Sequence, residues 1–344
     1  MKVLLYSEQL DKISKSGLGK SINHQMRALE LAGIDYTLNS QDDFDVLHIN
    51  TYFYESMAFA RKCRKDGKAI VYHAHSTEED FRNSFLFSNQ LSPLFKQWLL
   101  SCYRLGDILI TPTPYAKKIL ETYPLDREIV PISNGIDLNK FTPIPHARQL
   151  IEQKYGYQAS DFIVMGIGLY LERKGILDFV ELAKRMPHIQ FIWFGFTNLN
   201  LVPNKIREAV ETQLPNLRFA GYVENKEIIT ALQGTDLYIF TTYEETEGIP
   251  AVEACAAKAD FIVRDIPVFG EWLEHEANVY KAKDIDAFQD YIQAFKDGQL
   301  PSLTDAAYEV AENRDLPAIG HQLRDVYERA LKLAQQRQQS NSKF

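Results

Sequence analysis

Two glutamates that could bind sugar hydroxyls, Glu245 and Glu253, lie eight residues apart in the segment TTYEETEGIPAVEACA. The apolar run DLYIFT (236–241) before them predicts a buried strand, and a helix is expected to begin near Pro250. The backbone N–H groups of a helix that starts behind Gly248 favour a phosphate. Carboxylates repel phosphate and accept hydrogen bonds from hydroxyls, so Glu253 is assigned to a ribose diol and Glu245 to a second sugar. The alternative is that both glutamates only complement the helix dipole.

Two cations follow another predicted strand. Arg173 and Lys174 lie in GLYLERKG (168–175), directly after the apolar run FIVMGIG (162–168). Charged hydrogen-bond donors at a strand end suit a diphosphate, and they would stabilise the negative charge that grows on a departing one. The other interpretation is a solvated basic turn that ends at Gly175.

Two loops of the first half also follow predicted strands. The segment SGLGK (16–20) is a shortened glycine-rich loop with Gly17 and Gly19, and by itself it is weak evidence for phosphate binding. Lys20 in this loop is either a ligand or a surface residue. The strand AIVYH (69–73) is followed by His75, the better candidate for a functional histidine, whereas His73 is expected inside the strand. A structural histidine is the alternative.

Two polar segments are interpreted as turns. Asn134 and Gly135 predict a tight turn after IVPI (129–132), placed either at a site or purely for structure. The run Asp42-Asp43-Phe44-Asp45 resembles an Asp-x-Asp metal site, but it precedes the strand VLHIN (46–50) and falls at the amino end of the sheet. We therefore interpret it as a solvated turn, and the sequence shows no His/Cys cluster that would suggest a metal site elsewhere.

The elements that must position these residues alternate between short apolar runs and helical patterns, which predicts two doubly wound parallel sheets of Rossmann-like type facing a cleft. Ligands are expected at the carboxyl ends of the strands, between the two sheets. We expect an N-terminal domain over 1–150, a linker around 141–160, a C-terminal domain over 151–315, and a helix over 316–344 that crosses back. The ten predicted strands are 2–6, 46–50, 69–73, 108–111, 129–132, 162–168, 190–195, 217–222, 236–241 and 260–264.

Composition limits the class of protein. The chain of 344 residues is 45% hydrophobic and carries a net charge of −8, which is typical of an ordered globular protein. Residues 1–150 hold 18 basic and 17 acidic side chains, and the remainder holds 20 and 29, which disfavours nucleic-acid binding. The three cysteines suggest a reducing cytosol. We expect no signal peptide and no membrane span, so any membrane contact would be peripheral.

An aromatic and basic stretch over 81–104 is the candidate contact with an acceptor or a membrane surface. Aromatic and cationic side chains on one helix favour a membrane interface, and a second basic cluster over 61–68 would attract anionic lipid. Packing of the aromatic residues into a core is the alternative. The residues assigned to this contact, besides Lys20, are Phe85, Phe87, Phe95, Lys96 and Trp98.

Taken in order along the chain, these motifs resemble glycosyltransferase family 4, whose members are retaining enzymes with the GT-B fold. The resemblance covers SKSGLGKSINHQMRAL, HAHSTEEDFRNSF, ISNGIDLNKF, ERKGILDF, FAGYV and EETEGIP. A narrower similarity, in HAHSTEEDFRNSF, FIWFG and VRDIPVF, points to bacterial enzymes that extend glucosyl-diacylglycerol and make the lipoteichoic acid anchor.

The resemblance implies roles for individual residues. It assigns Glu245, Arg173, Lys174 and His75 to catalysis, with no bound metal. This chain departs from the family pattern at Leu169, where family members usually have an arginine. The role implied for Arg173 therefore requires that Arg173 replaces that arginine. Donor binding is implied for Gly17, Gly19, Gly168, Tyr222, Val223, Gly248, Ile249, Pro250 and Glu253.

The implied reaction is transfer of glucose or galactose from a UDP-hexose to glucosyl-diacylglycerol, by an enzyme bound peripherally to the cytoplasmic face of the membrane. UDP-hexose is then a substrate, not a cofactor. One alternative is a family 4 enzyme with a soluble or cell-wall glycan as acceptor. Another is a non-catalytic protein that binds a UDP-sugar.

Overall fold

A computed structural model describes residues 1–9, 17–82 and 87–341. Its described residues form two compact units, each built on a six-stranded, wholly parallel sheet with helices around it. The predicted fold class, two Rossmann-like doubly wound sheets, is confirmed. Ser16 and Phe85 of the predicted loops lie outside the described residues.

The first sheet has the strand order β2-β1-β3-β4-β5-β6. Neighbouring residues such as Val3-Leu4 and Val46-Leu47 are both fully buried, as expected for parallel strands that are covered on both faces. The strands are β1 (Lys2–Tyr6), β2 (Asp35–Thr37), β3 (Val46–Ile49), β4 (Ala69–His73), β5 (Ile108–Thr111) and β6 (Glu128–Pro131). The helices along this part of the chain are α1 (Gly17–Leu31), α2 (Tyr54–Lys65), α3 (Glu78–Phe81), α4 (Ser88–Tyr103) and α5 (Pro114–Glu121).

The second sheet has the strand order β12-β11-β10-β7-β8-β9. Its core is rich in aromatic residues, and Phe179 of a flanking helix packs edge-on against Phe191 and Trp193 of one strand. The strands are β7 (Ile163–Ile167), β8 (Gln190–Phe194), β9 (Leu217–Gly221), β10 (Leu237–Phe240), β11 (Phe261–Arg264) and β12 (Tyr280–Ala282). The helices are α6 (Ala147–Tyr155), α7 (Ile176–Arg185), α8 (Asn204–Val210), α9 (Asn225–Gly234), α10 (Ile249–Ala257), α11 (Ile285–Lys296) and α12 (Thr304–Glu312).

The last helix, α13 (Leu316–Asn341), belongs to the first unit. It packs so closely on α1 that a Cβ atom at Gly320 would lie 2.3 Å from the carbonyl oxygen of Ala28. Its buried side chains, among them Leu323, Val326 and Tyr327, complete the core beside β1, β3 and β4. The first unit therefore consists of 1–78, 91–137 and 314–344, and the second of 79–90 and 138–313.

All ten predicted strands are present, but two short strands were missed. Strands β2 and β12 have three residues each and lie at sheet edges, where no long apolar run is required. The expected linker over 141–160 was wrong in part, because 147–155 form α6. Helix α6 buries Ile151 and Tyr155 in the second unit. Two apolar residues one turn apart in a polar stretch were too weak a pattern to predict this helix.

Strand order decides where each sheet can hold a ligand. In the first sheet the order reverses between β1 and β3, and in the second it reverses between β7 and β10. Loops that leave two such strands diverge, and the gap at their carboxyl ends is the binding position of open parallel sheets. The predicted cations follow β7, and Glu245 follows β10, so the topology brings both to one reversal point.

Candidate active site

A glycine contact fixes the turn that carries the two cations. Residues Glu172–Lys174 form one 3-10 turn after β7, which ends at Gly175 with a φ of 73°. A Cβ atom at Gly175 would lie 2.1 Å from the carbonyl oxygen of Thr241, at the end of β10. Only glycine allows both the left-handed backbone and this close approach. The turn is thereby held against the loop that contains Glu245.

Four charged side chains meet at this position in the second unit. The Lys174 ammonium forms an ion pair with the Glu245 carboxylate. The Arg173 Nη1 donates to the carbonyl oxygen of Glu244 at 3.1 Å and lies 3.1 Å from Asp80 Oδ1. The predicted residues Arg173, Lys174 and Glu245 are thus brought together. Sequence reasoning missed Asp80, although this residue lies in the acidic run after His75 and could have been named as a candidate from that run.

Burial shapes the charges of this cluster. Desolvation opposes ionisation of Glu245, but the positive charges of Lys174 and Arg173 outweigh it and hold the Glu245 pKa below its ordinary value. For Asp80 the balance is opposite, and desolvation raises the pKa in spite of Arg173. The exposed fraction of the Glu245 side chain is 11% and that of Lys174 is 14%, so the ion pair is poorly screened by water. A negatively charged ligand group would therefore be stabilised at this cluster only where it lies close to Arg173 and Lys174.

A second set of contacts holds the loop before Glu245. The Tyr243 hydroxyl donates to Asp178 Oδ2 at 2.6 Å, and Arg264 forms an ion pair with the same carboxylate. The Arg264 guanidinium lies 3.9 Å from the Tyr243 ring centroid and donates through Nε to the Thr241 carbonyl at 2.9 Å. Sequence reasoning missed this group, because Asp178 and Arg264 lie 86 residues apart in different helix and strand patterns.

Helix α10 begins at the predicted position. Gly248 caps it with a φ of 88°, and Ile249 and Pro250 form its first turn. Within the described residues no side chain caps this helix. Glu253 is 1% exposed on an otherwise apolar helix, a position that requires polar partners rather than solvent.

The remaining predicted donor residues of the second unit lie at strand ends. The Gly168 carbonyl accepts a hydrogen bond of 2.8 Å from Trp193 Nε1, and a Cβ atom at Gly168 would lie 3.3 Å from the Lys174 Cβ. Tyr222, just beyond β9, is 52% exposed, and Val223 follows it. The geometry gives Gly168 a local reason to be glycine and leaves the tyrosine ring accessible.

In the first unit the predicted residues lie at the carboxyl edge of the sheet. Gly17, Gly19 and Lys20 open α1. His75 stands two residues beyond β4, and its Nε2 lies 2.8 Å from Asn50 Oδ1. Its ring stacks on that of His73 with centroids 3.8 Å apart.

Three side chains of α4 that were predicted to contact an acceptor or a membrane have partners within the first unit. Phe95 packs edge-on against Tyr52, and Trp98 Nε1 donates to the Tyr52 carbonyl, which favours the core-packing interpretation for both. Lys96 lies 3.3 Å from Glu78 and over the Tyr123 ring, so its charge is already engaged within the unit.

Of the large apolar side chains that remain accessible on or beside α4, only Phe87 was predicted from the sequence as a contact residue. Phe87 is 70% exposed, as expected for a contact residue, but Leu91 at 48% and Leu94 at 69% were not assigned. Of the basic cluster over 61–68, Arg64 is paired with Asp107, whereas Arg61, Lys62 and Lys65 are exposed.

The acidic run at 42–45 forms the predicted turn. Asp42 accepts hydrogen bonds from Thr37 and Asn39 and lies 3.7 Å from Lys2 Nζ. Among the described residues, no group of three or more His, Cys, Asp or Glu side chains could hold a metal ion. In the same part of the chain, no helix is both long and apolar enough to cross a membrane.

Family models match both halves of the chain. Residues 23–140 match the model of Glycosyltransferase Family 4, and 147–314 match that of Glycosyl transferases group 1. Together the two matches cover every strand of the two sheets except β1, and they include the loops that carry Arg173, Lys174 and Glu245.

Two of the relatives are named as enzymes that glycosylate diacylglycerol or make a glycosylated diacylglycerol. A processive diacylglycerol alpha-glucosyltransferase of Acholeplasma laidlawii is 35% identical over 336 residues, which is 97% of this chain and 99% of the relative. An alpha-galactosylglucosyldiacylglycerol synthase of Streptococcus pneumoniae is 25% identical over 77% of this chain and 72% of the relative. Anabaena HepE, crystallised with UDP and glucose, shares the fold with a TM-score of 0.75 at 16% identity, over 95% of this chain and 99% of that one.

The buried histidines of the first unit should make its stability depend on pH. Burial lowers the pKa of His48 to about 3 and that of His73 well below its ordinary value. Below the unfolded value of roughly 6.5, the unfolded chain takes up protons that the folded unit excludes. We expect each histidine to remove about 1.4 kcal/mol of unfolding free energy per pH unit as the pH falls below that value.

Urea unfolding at pH 7.5, 6.5 and 5.5, followed by circular dichroism, measures this dependence. The variant His48→Gln should show a shallower decline, whereas His188→Asn, at an exposed histidine, should follow the wild type. A midpoint that stays constant over this range would contradict the prediction.

Proposed function

This chain belongs to glycosyltransferase family 4 and is a glycosyltransferase, and on that premise we propose that it transfers glucose or galactose from a UDP-hexose to glucosyl-diacylglycerol. The observation that carries the proposal is the 35% identity, over nearly the whole of both chains, to a diacylglycerol glucosyltransferase. The second glycolipid enzyme among the relatives supports the same class of acceptor. Retention at the anomeric carbon is part of the proposal.

The charge cluster at the reversal point of the second sheet supports the donor half of the reaction. Arg173 and Lys174 would take the diphosphate of the donor, together with the backbone N–H of Ile249 at the start of α10. As the bond between the anomeric carbon and the diphosphate breaks, the two cations would stabilise the charge that collects on UDP. Glu253 would accept from the ribose hydroxyls, and Glu245 would orient the hexose.

Proton transfer needs no protein base in this proposal. The acceptor hydroxyl oxygen forms the new bond to the anomeric carbon, the bond to UDP breaks, and the hydroxyl proton passes to an oxygen of the departing diphosphate. Lys174 is already paired with Glu245, so the positive charge is positioned before the donor arrives. We propose that these cations take the part that a bound metal ion plays elsewhere, so that the enzyme requires no metal.

A membrane surface is the proposed source of the acceptor. The exposed side chains of Leu91 and Leu94 lie three residues apart on α4, and helical residues at this spacing share a face. The exposed Lys62 and Lys65 of α2 add positive charge to the same unit. Apolar insertion and attraction to anionic lipid together favour a peripheral attachment, which we place at the cytoplasmic face.

A lipid assay tests the proposed reaction. Purified protein is incubated with anionic vesicles that contain glucosyl-diacylglycerol, with UDP-glucose or UDP-galactose in separate samples that contain EDTA. Mass spectrometry should find a lipid heavier by one hexose, and the productive donor identifies the sugar. Because the Acholeplasma relative is described as processive, samples with diacylglycerol alone and searches for longer products belong in the same assay.

The same assay separates the alternatives. UDP binding with no lipid product, together with transfer to a soluble glycan, would replace the lipid acceptor by that glycan. UDP-sugar binding with neither transfer nor donor hydrolysis would favour a non-catalytic binding protein. Activity that EDTA abolishes and Mg²⁺ restores would contradict the metal-free part of the proposal.

Replacing Glu245 tests its role at the hexose. The variant Glu245→Gln keeps the size of the side chain but removes the charge that is proposed to orient the sugar. We expect kcat to fall about 100-fold while the affinity for UDP stays nearly the same. Steady-state kinetics and calorimetric UDP titration measure the two quantities, with Glu244→Gln as the matched control. Equal activity of the Glu245 variant would remove this residue from the mechanism.

Removing the exposed apolar pair tests the membrane contact. The double variant with Leu91→Ser and Leu94→Ser should sediment less with anionic vesicles than the wild type, because apolar insertion is lost. The variant Leu201→Ser, at a leucine that is 59% exposed in the second unit, should sediment like the wild type. If the wild type itself fails to sediment with anionic vesicles, a peripheral membrane attachment is wrong.

A further inference from the structure

The guanidinium of Arg264 joins separate parts of the second unit. Arg264 ends β11 and is 5% exposed, so its charge is almost wholly removed from water. Its Nε donates at 2.9 Å to the carbonyl oxygen of Thr241, just beyond β10, and its Nη2 pairs with the carboxylate of Asp178 in the first turn of α7. A buried cation requires such partners, and the planar fork of arginine can serve two of them at once.

Aromatic rings lie against the same guanidinium. Its central carbon is 3.9 Å from the centroid of the Tyr243 ring and 5.4 Å from that of Phe288 in α11. The Tyr243 hydroxyl also donates to Asp178 at 2.6 Å, so this carboxylate accepts from the tyrosine and from the arginine. The short loop 241–243 is therefore held to Arg264 at both of its ends.

The two ends of this loop also hold the turn that carries the cations. The Thr241 hydroxyl donates to the carbonyl oxygen of Lys174 at 3.1 Å, and the backbone N–H of Tyr243 donates to that of Arg173 at 2.7 Å. The Thr241 carbonyl that accepts from Arg264 is the one that lies against the glycine at the end of the turn. Arg264 therefore supports, through two residues, the backbone that carries both cations.

We propose that Arg264 is a positioning residue for the donor diphosphate, because it holds the loop 241–243 against the turn 172–174 and so keeps Arg173 and Lys174 in place. This inference rests on the proposed function, in which these two cations bind the diphosphate. Arg264 acts through the loop and is not assigned a contact with the substrate. An ion pair that served stability alone would change the stability of the protein but not the affinity of the folded protein for UDP.

Replacing Arg264 by lysine separates these two roles. Arg264→Lys keeps the positive charge but has no planar fork, so it cannot retain the bonds to Thr241 and Asp178 together with the contact to Tyr243. The loop and the turn then lose their common support, and the cations are less well placed for a diphosphate. We expect the Kd for UDP to rise about tenfold, the loss of one hydrogen bond to a charged group, and kcat to fall by a similar factor.

Calorimetric titration of the full chain with UDP measures the Kd, and steady-state kinetics with UDP-hexose measures kcat. Titration well below the thermal transition of each protein, as followed by circular dichroism, excludes a contribution of unfolding to the Kd. Asp178→Asn is a milder second variant, because the size is kept at a side chain that is 20% exposed. Its Kd should rise in the same direction by a smaller factor, and this Kd decides the proposal if Arg264→Lys does not fold.

A matched control lies at the opposite edge of the same sheet. Arg148 of α6 pairs with Asp236, directly before β10, and donates to the carbonyl oxygen of Asp161, shortly before β7. It joins the segments before these two strands through a carboxylate and a carbonyl oxygen, the same two kinds of partner that Arg264 has. Arg148→Lys should therefore lower stability and leave the Kd for UDP and kcat unchanged.

The Kd for UDP decides between the outcomes. A folded Arg264→Lys variant with the Kd of the wild type would overturn the proposal, whatever its loss of stability, and so would an equal rise of the Kd in Arg148→Lys. If the wild type binds UDP but transfers no hexose to glucosyl-diacylglycerol, the proposed acceptor fails, while the Kd values of the variants still decide the role of Arg264.

Discussion

The backbone of Gly175 lies against the carbonyl oxygen of Thr241, and the second unit depends on this contact for its charged site. It joins the turn after β7 to the end of β10 at the point where the strand order of the sheet reverses. A Cβ atom at position 175 would lie only 2.1 Å from that carbonyl oxygen, so the two loops would have to separate to accept any side chain there. Arg173 and Lys174 on one loop would then lose Glu244 and Glu245 on the other.

Both cations at this site are held by partners within the protein. Arg173 is bound by Asp80 and by the Glu244 carbonyl, and Lys174 by Glu245. Such pairing reduces the cost of burying positive charge, and it also fixes the side chains in place. The contacts of Tyr243 with Asp178 and Arg264 extend the same support outward. A diphosphate would therefore meet an array that needs little rearrangement.

The first unit presents a different kind of polarity. The buried side chains at the carboxyl ends of β3 and β4 are neutral, and they are linked by hydrogen bonds rather than by charge. Burial favours neutral histidine because a charged ring would lose its hydration without gaining an anionic partner. The direction of each hydrogen bond in such a network depends only on which group donates and which accepts.

The sequence by itself determined the two parallel sheets, ten of the twelve strands that the structure describes and the identity of the charged residues. Apolar runs of four to seven residues mark buried strands whatever surrounds them, and loops that follow such strands gather at one edge. Sequence reasoning did not find the contacts of Asp80 with Arg173, of Asp178 with Arg264 or of Tyr327 with His48, because each contact joins residues that are far apart in the chain. It also assigned Lys96 and Trp98 to an acceptor or membrane contact, although the structure turns both toward partners within the unit. Composition decides which groups are available, but only the packing of helices on the sheets decides which of them meet, which are buried and which remain exposed.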